Sequence, residues 1–387
     1  MIYLDNAATT NFDPQFLDAM MPYLTEQYGN AGTLYGLGRQ AKEAVEEARK
    51  SVAKLIGADP EQIVFTSGGP EGNNMVFSMM SKYLKQYDKK GIVTSSIEHD
   101  SVLKAAQSLA DDQNFEVTQL PVDHHGDIPL DYLRYKLAQN TGYVSVMYVN
   151  NEISVMNPVE LIARMAHKAG ALFHTDCVQA LACRPINVKK IDCDFATISS
   201  HKIHGPKGVG AVYIKNKALF SPMIFGGSAQ EFGMRGGTEN VAGIVGFGKA
   251  CELLIGVDRI GEAEHTEKLK SSFSKGLFEE LEDAGCENSV RLNGGYSLFG
   301  TKSLNFRAKD VDAESLILKL DSAGVCVSAG SACNSTEQVP SHVLKAIGLS
   351  DEDARSSFRV SFSKMNNLSE VETAGRVIAE CIIALRG

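Results

Sequence analysis

Short apolar runs alternate with helical segments through the first two thirds of the chain, and this alternation constrains the fold more than any other feature. The runs are Ile63–Thr66, Gly91–Thr94, Tyr143–Tyr148, Ala171–His174, Phe195–Ile198 and Val209–Ile214. Strands that are apolar on both faces belong in sheets covered by helices on both sides. The clearest helix is Gln40–Ile56, where Ala41, Ala44, Val45, Ala48, Val52, Leu55 and Ile56 recur at helical spacing and Gly57 follows as a stop. Pro158–Lys168 is a second, with Pro158 suited to a first turn. Such βα alternation predicts an α/β domain with a mainly parallel sheet.

The last third reads differently. Helical patterns cover Asn240–Leu254 and Asp258–Leu281, broken at Gly256, and form an expected bridge between domains. Short strands follow at Ser303–Phe306, Val325–Ser328 and Phe358–Phe362, with helices near Ala313–Ser322 and Ser369–Leu385. Ser369 and Glu372 have the spacing of a capping box. A smaller α+β domain is expected here.

A length of 387 residues allows two or three domains, and 44 % hydrophobic with 22 % charged residues excludes a disordered chain. The net charge of −9 argues against a non-specific nucleic-acid binder, which needs a basic surface. No apolar run is long enough to span a membrane, and Met1–Asp5 lacks the pattern of a signal peptide, so a cytoplasmic protein is expected. Eight cysteines (177, 183, 193, 251, 286, 326, 333 and 381) form no CxxC pair. They read as free thiols, most of them packing residues.

Four strand ends carry chemistry. Lys202 lies in Ser199-Ser200-His201-Lys202-Ile203-His204-Gly205-Pro206-Lys207-Gly208. A partly desolvated lysine becomes a nucleophile for imine formation, whereas a solvated lysine in a turn does not. Asp176, in His174-Thr175-Asp176-Cys177-Val178-Gln179, could hold a proton on a pyridine nitrogen or cap a helix. It precedes Lys202 by 202 − 176 = 26 residues, about one strand–helix–strand crossing, which would bring both to one side of a sheet. Thr66-Ser67-Gly68-Gly69-Pro70-Glu71-Gly72-Asn73-Asn74 joins a strand to a helix, as a phosphate cradle or a plain βα turn. His99, in Glu98-His99-Asp100-Ser101, could stack on a planar cofactor and shuttle protons, or be an ordinary packed histidine. Asp123-His124-His125-Gly126-Asp127 has metal-ligand residue types, but Gly126 favours a solvated turn, and no metal site is expected.

Together these motifs resemble the cysteine desulfurases of the NifS/IscS type, pyridoxal 5'-phosphate (PLP) enzymes of fold-type I within the class V aminotransferase superfamily. The likeness runs over nearly the whole chain, through Tyr3-Leu4-Asp5-Asn6-Ala7-Ala8-Thr9-Thr10, Val149-Asn150-Asn151-Glu152-Ile153, Arg235-Gly236-Gly237-Thr238-Glu239-Asn240 and Arg359-Val360-Ser361. The loop Ser328-Ala329-Gly330-Ser331-Ala332-Cys333 resembles group I of that family.

The resemblance implies a large PLP-binding domain (14–257) built on a mainly parallel, seven-stranded-type sheet. A small α+β domain would combine 1–13 with 258–387. Lys202 would carry PLP in imine linkage, Asp176 would pair with the pyridinium nitrogen and Gln179 with the phenolic oxygen. His99 would stack on the ring and assist proton transfer. Ser199, His201 and the backbone of Gly69 would hold the phosphate, and Thr238 would reach the phosphate of a neighbouring subunit in a homodimer. Arg359 would clamp the substrate carboxylate, and Asn151 would lie beside cofactor and substrate. L-cysteine would give L-alanine and a persulfide on Cys333, whose sulfur passes to an acceptor protein, including an iron–sulfur scaffold. Cys326 is the closest competitor for that role. Selenocysteine lysis, another class V PLP reaction or a non-catalytic role are the alternatives.

The chain departs from the pattern at several points. Pro70 stands where the family usually has threonine, removing one hydroxyl and one N–H from the phosphate cradle. His204 replaces a common tyrosine, Tyr35 a common histidine, Ala31 and Gly32 a proline and serine, and Ser154 a glycine. The chain stops soon after the Ser369 helix, where many housekeeping members carry a segment that docks the scaffold protein, so that partner is the one this departure touches.

Overall fold

The computed structural model describes residues 1–227, 230–295, 299–329 and 339–386. After β1 (Ile2–Tyr3) come β2 (Ile63–Thr66), β3 (Gly91–Ser95), β4 (Glu116–Leu120), β5 (Thr141–Ser145), β6 (Leu172–Asp176), β7 (Phe195–Ser199) and β8 (Gly210–Ile214). These last seven form one sheet in the order β2-β8-β7-β6-β5-β3-β4. The neighbours from β7 to β4 run parallel, while β8 is antiparallel to both β2 and β7. The sheet is thus mainly parallel, and every residue of β2, β3, β5, β7 and β8 is buried.

Strand β4 is absent from the sequence expectation for a physical reason. It lies at the sheet edge, and of its five residues only Leu120 is buried, so no continuous apolar run marks it. The expected strand Tyr143–Tyr148 also shifts. Pairing runs over Thr141–Ser145, and at Met147 the backbone N–H donates to the Glu98 carboxylate at 2.9 and 3.0 Å.

The helix Gly36–Ile56 buries the expected face of Ala41, Val45, Ala48, Val52 and Ile56, and ends at Gly57 with φ 69°. It starts one turn earlier than its apolar spacing implies. It packs closely on the helix Val241–Ile255, because a Cβ on Gly248 would lie 2.6 Å from the Ala48 Cα.

A second core gathers Leu4 with Leu269, Phe273, Phe306, Phe358, Val360, Ile378 and Ile382. Its sheet has β9 (Val290–Leu292), β10 (Ser303–Ala308) and β12 (Ser357–Ser361), antiparallel with β10 in the middle. β11 (Val325–Cys326) pairs in parallel with β1, so the first residues of the chain join its last third. The helices Arg259–Asp283 and Leu368–Arg386 cross where a Cβ on Gly375 would stand 2.4 Å from the Phe273 carbonyl oxygen. The capping box lies two residues before the expected one. Asn367 accepts from the Glu370 N–H at 3.0 Å, and Glu370 accepts from the Asn367 N–H at 3.2 Å, leaving Ser369 inside the first turn.

Candidate active site

The carboxyl ends of β3, β6 and β7 face one region, the place where ligands bind in open α/β sheets. Asp176 is the last residue of β6 and pairs in register with Thr197 of β7. Ser199 ends β7, and a single tight turn, Ser200–Lys202, follows it. His99 caps the helix Asp100–Gln113 just after β3. Gly69 opens the helix Gly69–Gln86, which leaves β2 through Gly68 at φ 153°. Arg359 comes from the second sheet, and Ala7 and Ala8 from the N-terminal segment.

These parts enclose a cavity of about 270 Å³. Gly69, His99, Asn151, Asp176, Gln179, Ser199, His201, Lys202 and Arg359 all line it. Lys202 Nζ donates to the carbonyls of Ala7 at 2.6 Å and Ala8 at 2.7 Å. Gln179 Nε2 donates to the same Ala7 oxygen at 2.9 Å. Asp176 is buried and accepts at one oxygen from Asn73 Nδ2 at 2.8 Å and at the other from the Val178 N–H at 2.9 Å. Asp176 thus accepts within a local turn and lines the cavity, and the helix that follows, Ala180–Cys183, is capped at Gln179 and not at Asp176.

Burial dominates the electrostatics. Glu98, buried in the cavity wall, is pushed up to about 8 by desolvation, with the nearby Asp176 charge adding to the effect. His201 is pushed down to about 4 by burial, then by Lys202 and Lys207, and is therefore a neutral ring at pH 7. Arg359 is 2 % exposed; its Nη2 donates to Asp5 at 2.8 Å and its Nη1 to the Asn151 carbonyl at 3.1 Å.

The donor set fits a phosphorylated pyridine. The hydroxyl of Ser199 is buried without a partner, and a Cβ on Gly68 would lie 4.0 Å from it. This orphan donor stands beside the N–H groups that begin the Gly69–Gln86 helix, an arrangement suited to an anion. Asp176 supplies a buried anion and Lys202 an amine to the same cavity.

Thr238 is exposed and does not line the cavity. Cys333 lies outside the described residues. Of the seven described cysteines none lines the cavity. Burial raises the thiols of Cys177, Cys193 and Cys251, and Cys326 is raised by burial and then by Asp321 and Asp5. The Asp123–Asp127 segment is a turn in which Asp123 Oδ1 accepts from the N–H groups of His125 and Asp127, both at 2.9 Å, with Gly126 at φ 93°.

Asn73, Glu98, Ser101, Glu152 and His342 also line the cavity, although sequence reasoning assigned them no role. The spacing of Asn73, one helical turn after Gly69, is the signal that could have placed it on the cavity face.

The aminotransferase class-V profile matches residues 2–373. The chain belongs to this family. Class-V members of the NifS and cysteine desulfurase type depend on PLP, and PLP is the cofactor of this class-V chain. A cysteine desulfurase of Trichormus azollae is 41 % identical over 387 residues, covering 100 % of this chain and 94 % of that protein. A solved NifS-like protein superposes with a TM-score of 0.90 at 33 % identity, covering 99 % of this class-V chain and 100 % of the other. SspA in complex with cysteine superposes with a TM-score of 0.80 at 32 % identity, covering 94 % and 99 %.

Proposed function

We propose that this chain is a PLP-dependent cysteine desulfurase that converts L-cysteine to L-alanine and leaves the sulfur on Cys333 as a persulfide. The observation that carries this reading is one cavity lined by Lys202, Asp176, His99 and Arg359 together. PLP would be held by Lys202 and Asp176 at its reactive end and pyridine nitrogen. Ser199, His201 and the Gly69 N–H would hold its phosphate, Gln179 its phenolic oxygen, and Asn151 would lie alongside. When bound, PLP withdraws electrons from the substrate Cα.

The chain's own residues do the rest. Arg359 binds the substrate α-carboxylate with its planar fork. Lys202 Nζ, once released, takes the Cα proton and returns one, and His99 moves protons at its ring nitrogen. Cys333, as thiolate, attacks the substrate sulfur. The S–S bond forms as the Cβ–S bond breaks, the electron pair left at Cβ takes up a proton, and with the Cα proton returned the product is alanine. Cys177, Cys193 and Cys251, buried and held as thiols, are packing residues.

The division into a large domain (14–257) and a small one (1–13 with 258–387) is proposed with this reading, as is a homodimer in which the exposed Thr238 reaches the partner's phosphate. The sulfur acceptor is proposed to be a protein, with an iron–sulfur scaffold as one candidate, and the location to be cytoplasmic. Among the described residues no helix is long and apolar enough to cross a membrane.

The test is release of alanine from L-cysteine with reductant, run beside Cys333→Ala, with the absorbance of bound PLP recorded on the same samples. The expected result is a yellow protein that releases alanine, and a Cys333→Ala variant that stays yellow but forms no persulfide. A protein that binds no PLP after reconstitution sinks the proposal.

A further inference from the structure

Asp176 and His99 both line the cavity and are connected through two residues to which the sequence motifs gave no role. Asn73 is 1 % exposed, and its amide nitrogen donates one hydrogen to Asp176 Oδ2 at 2.8 Å and the other to Ser101 Oγ at 2.9 Å. Ser101 Oγ lies 2.8 Å from His99 Nδ1, and the Ser101 backbone N–H donates to the same nitrogen at 3.1 Å.

The proton directions follow from Asp176 at one end and from the Ser101 backbone N–H at the other. A carboxylate accepts only, so the Asn73 amide must present its NH₂ and not its oxygen. The second Asn73 hydrogen then points at Ser101 Oγ, which accepts it through a lone pair. The Ser101 hydroxyl hydrogen is thereby free for His99 Nδ1. That nitrogen receives two donors, one from side chain and one from backbone, so it carries no proton of its own. In the neutral ring the proton sits on Nε2. The cost of the arrangement is visible too: Asn73 Oδ1 is buried without a partner, as expected for an amide oriented by its nitrogen.

We propose that Asn73 and Ser101 are positioning residues that transmit the charge of Asp176 to the ring of His99 and hold it as the Nε2–H tautomer. This rests on the cofactor reading above only for its catalytic consequence. The relay fixes which nitrogen of His99 can give a proton during turnover, and it ties that choice to the group that faces the pyridine nitrogen. Hydrogen bonds in such a chain polarise one another, so removing an inner member weakens the outer one.

The experiment uses holoenzyme labelled with ¹⁵N-histidine, with the His99 ring signals assigned by their loss in His99→Gln. Wild type should show Nδ1 unprotonated and Nε2 protonated. Ser101→Ala should shift the Nδ1 resonance, and Ser101→Thr, which restores a hydroxyl, should return it. Asn73→Ala should shift the same resonance from one residue away, and should add nothing in the Ser101→Ala background. Steady-state kinetics should show kcat for L-cysteine reduced about fivefold in Ser101→Ala at unchanged KM, the rate equivalent of one neutral hydrogen bond, and recovered in Ser101→Thr.

An Nδ1 resonance unmoved by Ser101→Ala overturns the relay, as does an Asn73→Ala shift of equal size with and without Ser101. If Asn73→Ala fails to fold, the Ser101→Ala and Ser101→Thr pair decides alone. Wild-type protein that releases no alanine refutes the desulfurase reading, while the resonance shifts still judge the relay.

Discussion

The guanidinium of Arg359 donates to the carboxylate of Asp5 at 2.8 Å, so the cationic fork of the cavity already holds an anion of the chain itself. Asp5 is brought there by β1, which pairs with β11, and by its own bridge to Ser361. A substrate carboxylate must share or displace this contact.

Replacing the fork by a point charge should therefore weaken substrate binding more than chemistry. Arg359→Lys is expected to raise KM for L-cysteine by roughly tenfold to a hundredfold, the range of one lost charge-assisted bidentate contact, with a smaller change in kcat. Asp5→Asn should move KM the other way, by about threefold, because it removes the internal competitor without emptying the site of hydrogen bonds. Initial rates across a cysteine titration check both.

Lys202 Nζ is held by two backbone carbonyls, of Ala7 and Ala8, which aim it into the cavity. Lys202→Ala should lower alanine release by roughly 10² to 10⁴, the usual worth of a positioned acid–base group. It should also abolish the visible absorbance of covalently held PLP. The melting temperature should change little, because no core packing is lost. Turnover retained at the wild-type level would contradict the assignment.

Pro70 follows Gly69 at the start of the Gly69–Gln86 helix and contributes neither an N–H nor a hydroxyl to the anion site. Its ring conformation suits a first turn, so the helix tolerates it. Pro70→Thr should add donors to the cavity wall that Pro70 shares with the orphan hydroxyl of Ser199. The expected result is PLP retention improved by about fivefold per added hydrogen bond, measured by equilibrium dialysis.

Stability should fall in mild acid through two histidines that do not line the cavity. Burial pushes His174 down to about 3 and His204 down to about 4 from the ordinary 6.5. Both are neutral in the fold, whereas the unfolded chain binds protons below pH 6.5. Their contribution is thus complete above pH 6.5 and is lost as pH falls toward 4. For His204 the loss is at most about 3 kcal/mol, at ~1.4 kcal/mol per unit. His204→Asn keeps a donor for the Asn11 carbonyl, now 2.9 Å from His204 Nδ1, and suits the φ of 69°. Urea unfolding at pH 7 and pH 5 should show a smaller drop for this variant than for wild type.

The parallel sheet was legible because its strands are buried on both faces and leave unbroken apolar runs. The edge strand β4 was not, since an edge strand needs no such run. The capping box at Asn367 and Glu370 shows a related limit: two overlapping four-residue patterns compete there, and only packing of the helix onto its partner selects one.

By itself the sequence determined the α/β class and the chemistry-bearing side chains, because residue type and spacing report local structure and the strand-end motifs are short and contiguous. Only the tertiary structure decided which of those side chains meet. It set Arg359 of the second sheet against Asp5 and Asn151, and joined Asp176 to His99 through Asn73 and Ser101. Those contacts span up to 354 positions of chain, and their geometry depends on how two separate cores pack. Local pattern carries no information about that.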